Sequence, residues 1–359
     1  MKKFLLLGMV LCLSTTMVFS LGKKDAKTGK YKIGVSMPTK SLQRWNQDGD
    51  NMKKQLEAAG YAVDLQYAGD NDIPTQVAQI ENMITGGCSA LVIAAIDGSS
   101  LTEALRGAKE KNIPVIAYDR LIMNSDAVKF YATFDNFKVG TLQGQYIVDK
   151  LGLANSEGPF NIELVTGAPD DNNVNFFFGG AMSILKPYVD NGKLVIKSGQ
   201  TSQVQASTPN WSTEQSQGRF ENIITSVGYG PDGEKLDAVL CSNDSTANGV
   251  TNALVNAGYT KDNFPILTGQ DCDKPSVKNM SAGTQAMSVF KDTRTLASRV
   301  VSMIISLEKR TTPEVNDTKT YNNGTGVIPS YLCEPIVVEP KDIQKALIDS
   351  GYYKQSDIQ

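Results

Sequence analysis

Arg44, Trp45, Asp97, Asp119, Arg120, Asp135, Asn136, Asn173, Asn243, Asp271 and Lys291 stand at or just beyond the ends of short apolar runs that read as strands. The set mixes both charge signs with amides. A carboxylate accepts two hydroxyl protons, an asparagine both donates and accepts, and arginine presents a fixed fork of donors. Such groups suit a ligand rich in hydroxyls, and the C–H face of a sugar ring would pack on an aromatic side chain such as Trp45. Polar residues also cap the helix after a strand in any α/β protein, and Asp72, Ser99, Ser100 and Asp292 are read that way. Asp119 reads equally as a hinge residue bonded to backbone. Of Phe176, Phe177 and Phe178, at least two rings are expected in the core.

Catalytic signatures are absent or fail. The chain has no histidine, which removes the commonest general base and the commonest metal ligand. Residues 228–233 (GYGPDG) match GxGxxG as letters, but they precede a strand and contain Pro231, so dinucleotide binding is rejected. No phosphate-binding loop, GxSxG or calcium-loop spacing occurs. Asp97 and Asp271 could form a glycosidase pair, yet binding explains the same residues without a reaction. The expectation is a protein that is not an enzyme and uses no cofactor or metal.

The elements that must position these residues are repeated βα units. Strands are expected at 31–36, 63–67, 88–96 and 114–118, separated by helices from Trp45 to Gly60, from Pro74 to Gly86 and from Ser100 to Lys111, the last with a capping-box spacing at Ser100 and Glu103. Residues 114–118 and 129–134 are two strand-like runs joined by a polar loop at 121–128 with no helix between them. This break in the alternation is read as the chain leaving one sheet for another. The rhythm then resumes with helices at 137–151, 173–188, 212–226, 246–257 and 293–307, and strands at 160–165, 194–196, 236–242, 264–267, 285–290 and 332–338, before a last helix at 342–350. Further crossings are placed near Lys291 and near Ile328-Pro329. The expected organisation is two Rossmann-like α/β lobes, 31–121 plus 292–327 and 122–291 plus 328–359, joined by a three-stranded hinge, with ligand in the cleft at the carboxyl ends of parallel strands. Three connections allow bending about one axis.

The bounds agree with two cores. The chain has 359 residues, 41% hydrophobic and 20% charged, with a net charge of −3. No basic face is visible, so nucleic-acid binding has no electrostatic basis. Residues 1–20 carry Lys2-Lys3, an apolar run and small residues before a cut, as an export signal does, and 21–30 form a polar leader. Cys12 could carry a lipid, but Leu11 before it is not small, which favours a cleaved signal and a periplasmic protein. Cys88, Cys241, Cys272 and Cys333 are widely spaced and are read as buried free thiols rather than disulfides.

Arg44-Trp45, QIENM at 79–83, VI at 92–93 leading to Asp97-Gly98, AYDR at 117–120, FDN at 134–136, PDDNN at 169–173, GQD at 269–271, FKD at 290–292 and EVNDTKTY at 314–321 resemble the periplasmic monosaccharide-binding proteins of ABC importers. The similarity spans the whole chain after the signal and is strongest to the branch that binds xylose, glucose, galactose and arabinose. It implies a monomer that encloses a monosaccharide between two lobes and delivers it to an ABC permease with its ATPase. The implied sugar contacts are Arg44, Trp45, Asp97 and Arg120 from the first lobe, and Asp135, Asn136, Asn173, Asn243, Asp271 and Lys291 from the second lobe and hinge. Asn175 stands where relatives often have a large residue and is added to the set. Xylose-specific relatives carry a tryptophan after the match to Gln200, where this chain has Thr201. A second stacking ring would then be missing or replaced by Phe176 or Phe177, leaving room for a hexose C6 group. A sensory protein presenting sugar to a chemoreceptor or sensor kinase would use the same fold and site. A repressor effector domain shares the architecture but needs a DNA-binding element where this chain has an export signal.

Overall fold

The computed structural model describes residues 31–358. The signal segment at 1–20, the leader at 21–30 and Cys12 lie outside the described residues. In chain order the elements are β1 (Lys32–Met37), α1 (Gln43–Ala58), β2 (Ala62–Tyr67), α2 (Ile73–Thr85), β3 (Ala90–Ile93), α3 (Thr102–Glu110), β4 (Val115–Tyr118), β5 (Val128–Phe134), α4 (Asn136–Leu151), β6 (Phe160–Val165) and α5 (Asn173–Asp190). They continue with β7 (Leu194–Val195), α6 (Thr213–Val227), β8 (Ala238–Cys241), α7 (Asp244–Asn256), β9 (Ile266–Leu267), α8 (Lys274–Ala282), β10 (Ser288–Phe290), α9 (Thr293–Glu308), β11 (Ser330–Cys333) and β12 (Ile336–Val338).

Two parallel sheets flanked by helices organise the chain. The first has the order β11-β5-β4-β3-β1-β2 and the second β7-β6-β8-β9, while β10 pairs antiparallel with β12. Alternation along the strands explains the layering. Ala90 and Val92 of β3, with Ile116 and Tyr118 of β4, face a core built with Met52 and Leu56 of α1 and Leu296, Val300 and Ile304 of α9. Leu91, Ile93, Val115 and Ala117 point the other way, onto Ile80 and Met83 of α2 and Leu105 of α3. The second sheet is covered likewise, by α4 and α5 on one face and α6 and α7 on the other. Close approach of α4 and α5 depends on glycine: a Cβ on Gly140 would lie 2.0 Å from the Phe177 carbonyl oxygen.

The crossings differ from the sequence expectation in position. β5 pairs in parallel with β4, so the loop at 121–128 joins two strands of one sheet, and the chain leaves that sheet only after Phe134. Pro329 precedes β11, which lies beside β5 in the same sheet. The single strand expected at 332–338 is two strands in two sheets, broken at Glu334-Pro335, because proline supplies no N–H to a ladder. Residues 122–134 and 330–333 therefore belong with the first sheet. Near Lys291 the chain runs from β10 into α9, which packs on the first sheet.

Caps form as residue type dictates at Asp72, Asp135, Ser212, Asn243 and Asp292, each accepting from a backbone N–H in the first turn of its helix. The expected box at Ser100 and Glu103 does not form: the Ser100 hydroxyl donates to the Asp97 carbonyl (3.0 Å), and α3 begins after Leu101 without a side-chain cap. Cys88, Cys241, Cys272 and Cys333 are buried and free, as expected.

Candidate functional site

The loops after β1, β4, β6, β8 and β9 meet between the two sheets around a shared cavity. Arg44, Trp45, Arg120, Asn173, Asn243, Asp271 and Lys291 line it, together with Asp119, Asp171, Phe177, Trp211, Gln270 and Asp273. Each of the first group except Lys291 follows a parallel strand or opens the helix behind it, the geometry that sends side chains toward the cleft; Lys291 follows β10, which pairs antiparallel with β12.

Arg44 is the electrostatic centre. Its Nε stands 3.1 Å from Asp48 Oδ2 and one terminal nitrogen 3.1 Å from Asp271 Oδ1, while the other terminal nitrogen donates to Asp119. Lys291, only 2% exposed, places Nζ 3.1 Å from the same Asp271 oxygen. Arg120 donates to the carbonyls of Ala95 (3.1 Å) and Ile96 (3.0 Å), and its Nε lies 3.0 Å from Asp171 Oδ2. Thus Arg44 and Arg120 of the first lobe pair with Asp271 and Asp171 of the second. Burial pushes the Asp119 carboxyl up, but Arg44, Lys291 and Arg120 outweigh it and hold the group below its ordinary value. Burial pushes the Asp48 carboxyl up to about 6 against the pull of Arg44. Burial and the neighbouring Asp271 push Asp273 up to about 7. Every cation lining the cavity has a carboxylate partner, so the site holds little spare charge for an ionic ligand.

Some buried polar atoms lack protein partners: Arg120 Nε and Trp211 Nε1 among donors, Gln270 Oε1 and Asp273 Oδ1 among acceptors. The Arg120–Asp171 approach is close but not aligned as a hydrogen bond. Buried groups of this kind need an explanation, and hydroxyls that both give and take would satisfy them. Asp119, Trp211 and Asp271 also hold φ of 57°, 55° and 97°, a region unfavourable for side chains and most of all for tryptophan.

Trp211 is the largest of the lining residues that sequence reasoning missed. Its indole is 4% exposed and meets the Phe177 ring at 6.2 Å and 75°. It lies against Gly167, where a Cβ would sit 2.0 Å from the ring. Together with Trp45 it gives the cavity two indoles, so a second large ring is present despite Thr201. Phe177 lines the cavity, whereas Phe176 packs on Tyr321 at 4.9 Å. Asp171, Gln270 and Asp273 were also missed, although Gln270 adjoins Asp271 and Asp171 lies two residues before Asn173.

The structure does not bring Asp97, Asp135, Asn136 or Asn175 to this cavity. Asp97 accepts from the Ser99 N–H (2.7 Å) and Asp135 from the Lys138 N–H (2.9 Å), each satisfying its own loop or helix start. Asn136 is fully buried and donates to the Thr133 hydroxyl (3.3 Å). Asn175 is exposed and bonds Asn172 and Gln203.

A family model described as a periplasmic binding protein domain matches residues 33–311. The chain belongs to the periplasmic binding protein family. Its architecture is the type I fold of that family, and the resemblance drawn from the sequence motifs is borne out. The chain is 51% identical over 331 residues to a multiple sugar-binding periplasmic receptor of Rhizobium radiobacter, covering 92% of each chain. It is 35% identical over 351 residues to the D-xylose-binding periplasmic protein of Escherichia coli, covering 98% of this chain and 99% of that one. A crystal structure of an ABC transporter solute-binding protein from Clostridium phytofermentans, with bound β-D-glucose, is similar at 60% identity and a TM-score of 0.88, covering 91% of this chain and 100% of that one. No helix among the described residues is long and apolar enough to cross a membrane.

Proposed function

We propose that this protein is a periplasmic solute-binding protein that captures a neutral aldohexose or aldopentose, such as glucose, galactose, xylose or arabinose, and delivers it to an ABC permease. The observation that carries the proposal is the interlobe cavity itself: two indoles, balanced charge, and buried donors and acceptors without protein partners. Arg44, Trp45, Arg120, Asn173, Asn243, Asp271 and Lys291 are the proposed contacts, with Asp119, Trp211 and Asp273 added.

Because Arg44, Trp45 and Arg120 come from one lobe and Asn173, Trp211, Asn243 and Asp271 from the other, only a closed cleft offers all contacts. Sugar then favours closure by its differential affinity for that form. The carboxylates serve as acceptors and counter-charges, with no reaction assigned to them, so the proposal is a binding protein and not an enzyme. Presentation of bound sugar to a sensor is a second reading, favoured by the 51% identity to a protein described as a receptor.

A thermal-shift panel of D-glucose, D-galactose, D-xylose, L-arabinose, D-ribose and a non-sugar control tests the proposal. Ligand at ~1,000 times its dissociation constant adds roughly 4 kcal/mol of stability, several degrees for a chain of this size. Folded, ligand-stripped protein that responds to none of the sugars would overturn it.

A further inference from the structure

A second recess adjoins the first and shares Leu42, Trp45, Arg120 and Trp211 as walls. We infer that it is an outer subsite that receives the second ring of a disaccharide or the substituent of a glycoside whose first ring occupies the inner cavity. The inference rests on the sugar-binding reading and extends its ligand class from free monosaccharides to linked ones.

Three observations carry it. The outer chamber is bordered from both lobes, by Thr39, Asp70 and Asn71 on one side and Ala168, Asp170 and Asn210 on the other, and it opens to solvent past the exposed Asp70, Asn71 and Asn210. A group held there therefore touches both lobes. The two chambers adjoin, and the walls they share include both indoles, which can border two successive rings. The outer lining also repeats the chemistry of the inner one, with carboxylates and amides suited to hydroxyls. Asp70 is already held in place by the hydroxyls of Thr39 (2.6 Å) and Ser41 (2.5 Å), which leaves its second oxygen for another donor.

The test is calorimetric titration of ligand-stripped protein with D-glucose and with purified cellobiose, maltose, laminaribiose and gentiobiose, which differ in the position and anomer of the linkage. At least one disaccharide should bind within a hundredfold of glucose. Asp170→Trp, at a position that lines the outer chamber and not the inner one, should weaken that disaccharide tenfold or more and change glucose affinity less than threefold. If Asp170→Trp does not fold, Asp170→Asn is expected to weaken the disaccharide and spare glucose in the same sense. Glucose binding with all four disaccharides more than a hundredfold weaker overturns the inference, as does a disaccharide affinity indifferent to both variants. Failure of glucose and every disaccharide to bind would overturn the sugar-binding reading itself, and this inference with it.

Discussion

Replacing Asp271 by Asn probes the contact that joins the two lobes at the proposed sugar. One oxygen of Asp271 accepts from Arg44 and Lys291, both at 3.1 Å, and the carboxylate is 7% exposed. The amide keeps the shape and one acceptor oxygen but removes the charge. Arg44 retains Asp48 and Asp119, so its loss is small. Lys291 has no other ion pair among the described residues and is left as a nearly unpaired buried ammonium. Breaking a buried pair from one side costs about 3 to 5 kcal/mol, and one charged hydrogen bond about 1.5 to 3 kcal/mol. The surviving amide oxygen places the expected effect near the overlap, about 3 kcal/mol. If the pair forms fully only in the closed form, most of that appears in binding, as roughly a 100-fold rise in the dissociation constant for glucose. Titration calorimetry on the folded variant measures it. A variant with an unchanged melting temperature and an affinity within threefold of wild type would refute the reasoning that Asp271 couples the lobes to ligand.

Gly167→Ala places a Cβ 2.0 Å from the Trp211 ring and must displace it; sugar affinity should fall roughly tenfold, about the 1.4 kcal/mol expected for one aromatic contact, and an unaltered affinity would remove Trp211 from the site. Gly140→Ala forces α4 from α5 at the Phe177 carbonyl and should cost about 1 to 3 kcal/mol, read as a lower urea midpoint; an unchanged midpoint would contradict that close approach. Asp48 governs a pH effect. Its folded carboxyl is pushed up to about 6 by burial, so as pH rises from about 4 to about 6 the unfolded chain ionises first and stability is lost. The stability difference between wild type and Asp48→Asn should therefore shrink by on the order of 3 kcal/mol across that window, and a flat difference would show that Asp48 is ionised in the fold throughout.

Much of the site was legible because a parallel strand announces itself as an apolar run and its carboxyl end faces the cleft. That logic picked out Arg44, Trp45, Arg120, Asn173, Asn243, Asp271 and Lys291, the members of the expected set that line the cavity. It also picked out polar residues at strand ends that turn back to serve their own backbone, as Asp97 and Asp135 do; residue type and position are the same for a cap and a ligand contact. Trp211 was not legible because it sits in an irregular turn at positive φ, where no periodicity exists. Helix α8 was overlooked although Pro275 near its start and Gly283 at its end are signals of a helix. The hinge was misplaced because residues 332–338 form one apolar run by composition, and only Pro335 hints that the run changes sheets. β5 was assigned to the wrong sheet for a related reason: two strands without an intervening helix are equally a crossing between sheets or neighbours within one.

The measurement that tests the account most directly is a crystal structure of the ligand-stripped protein grown with D-glucose. The expected result is one pyranose in the cavity between the lobes, its C–H faces against Trp45 and Trp211 and its hydroxyls on Asp271, Asp273, Arg120 and Asn173. Glucose bound elsewhere, or lying in that cavity without contact to either indole or to Asp271, would contradict it.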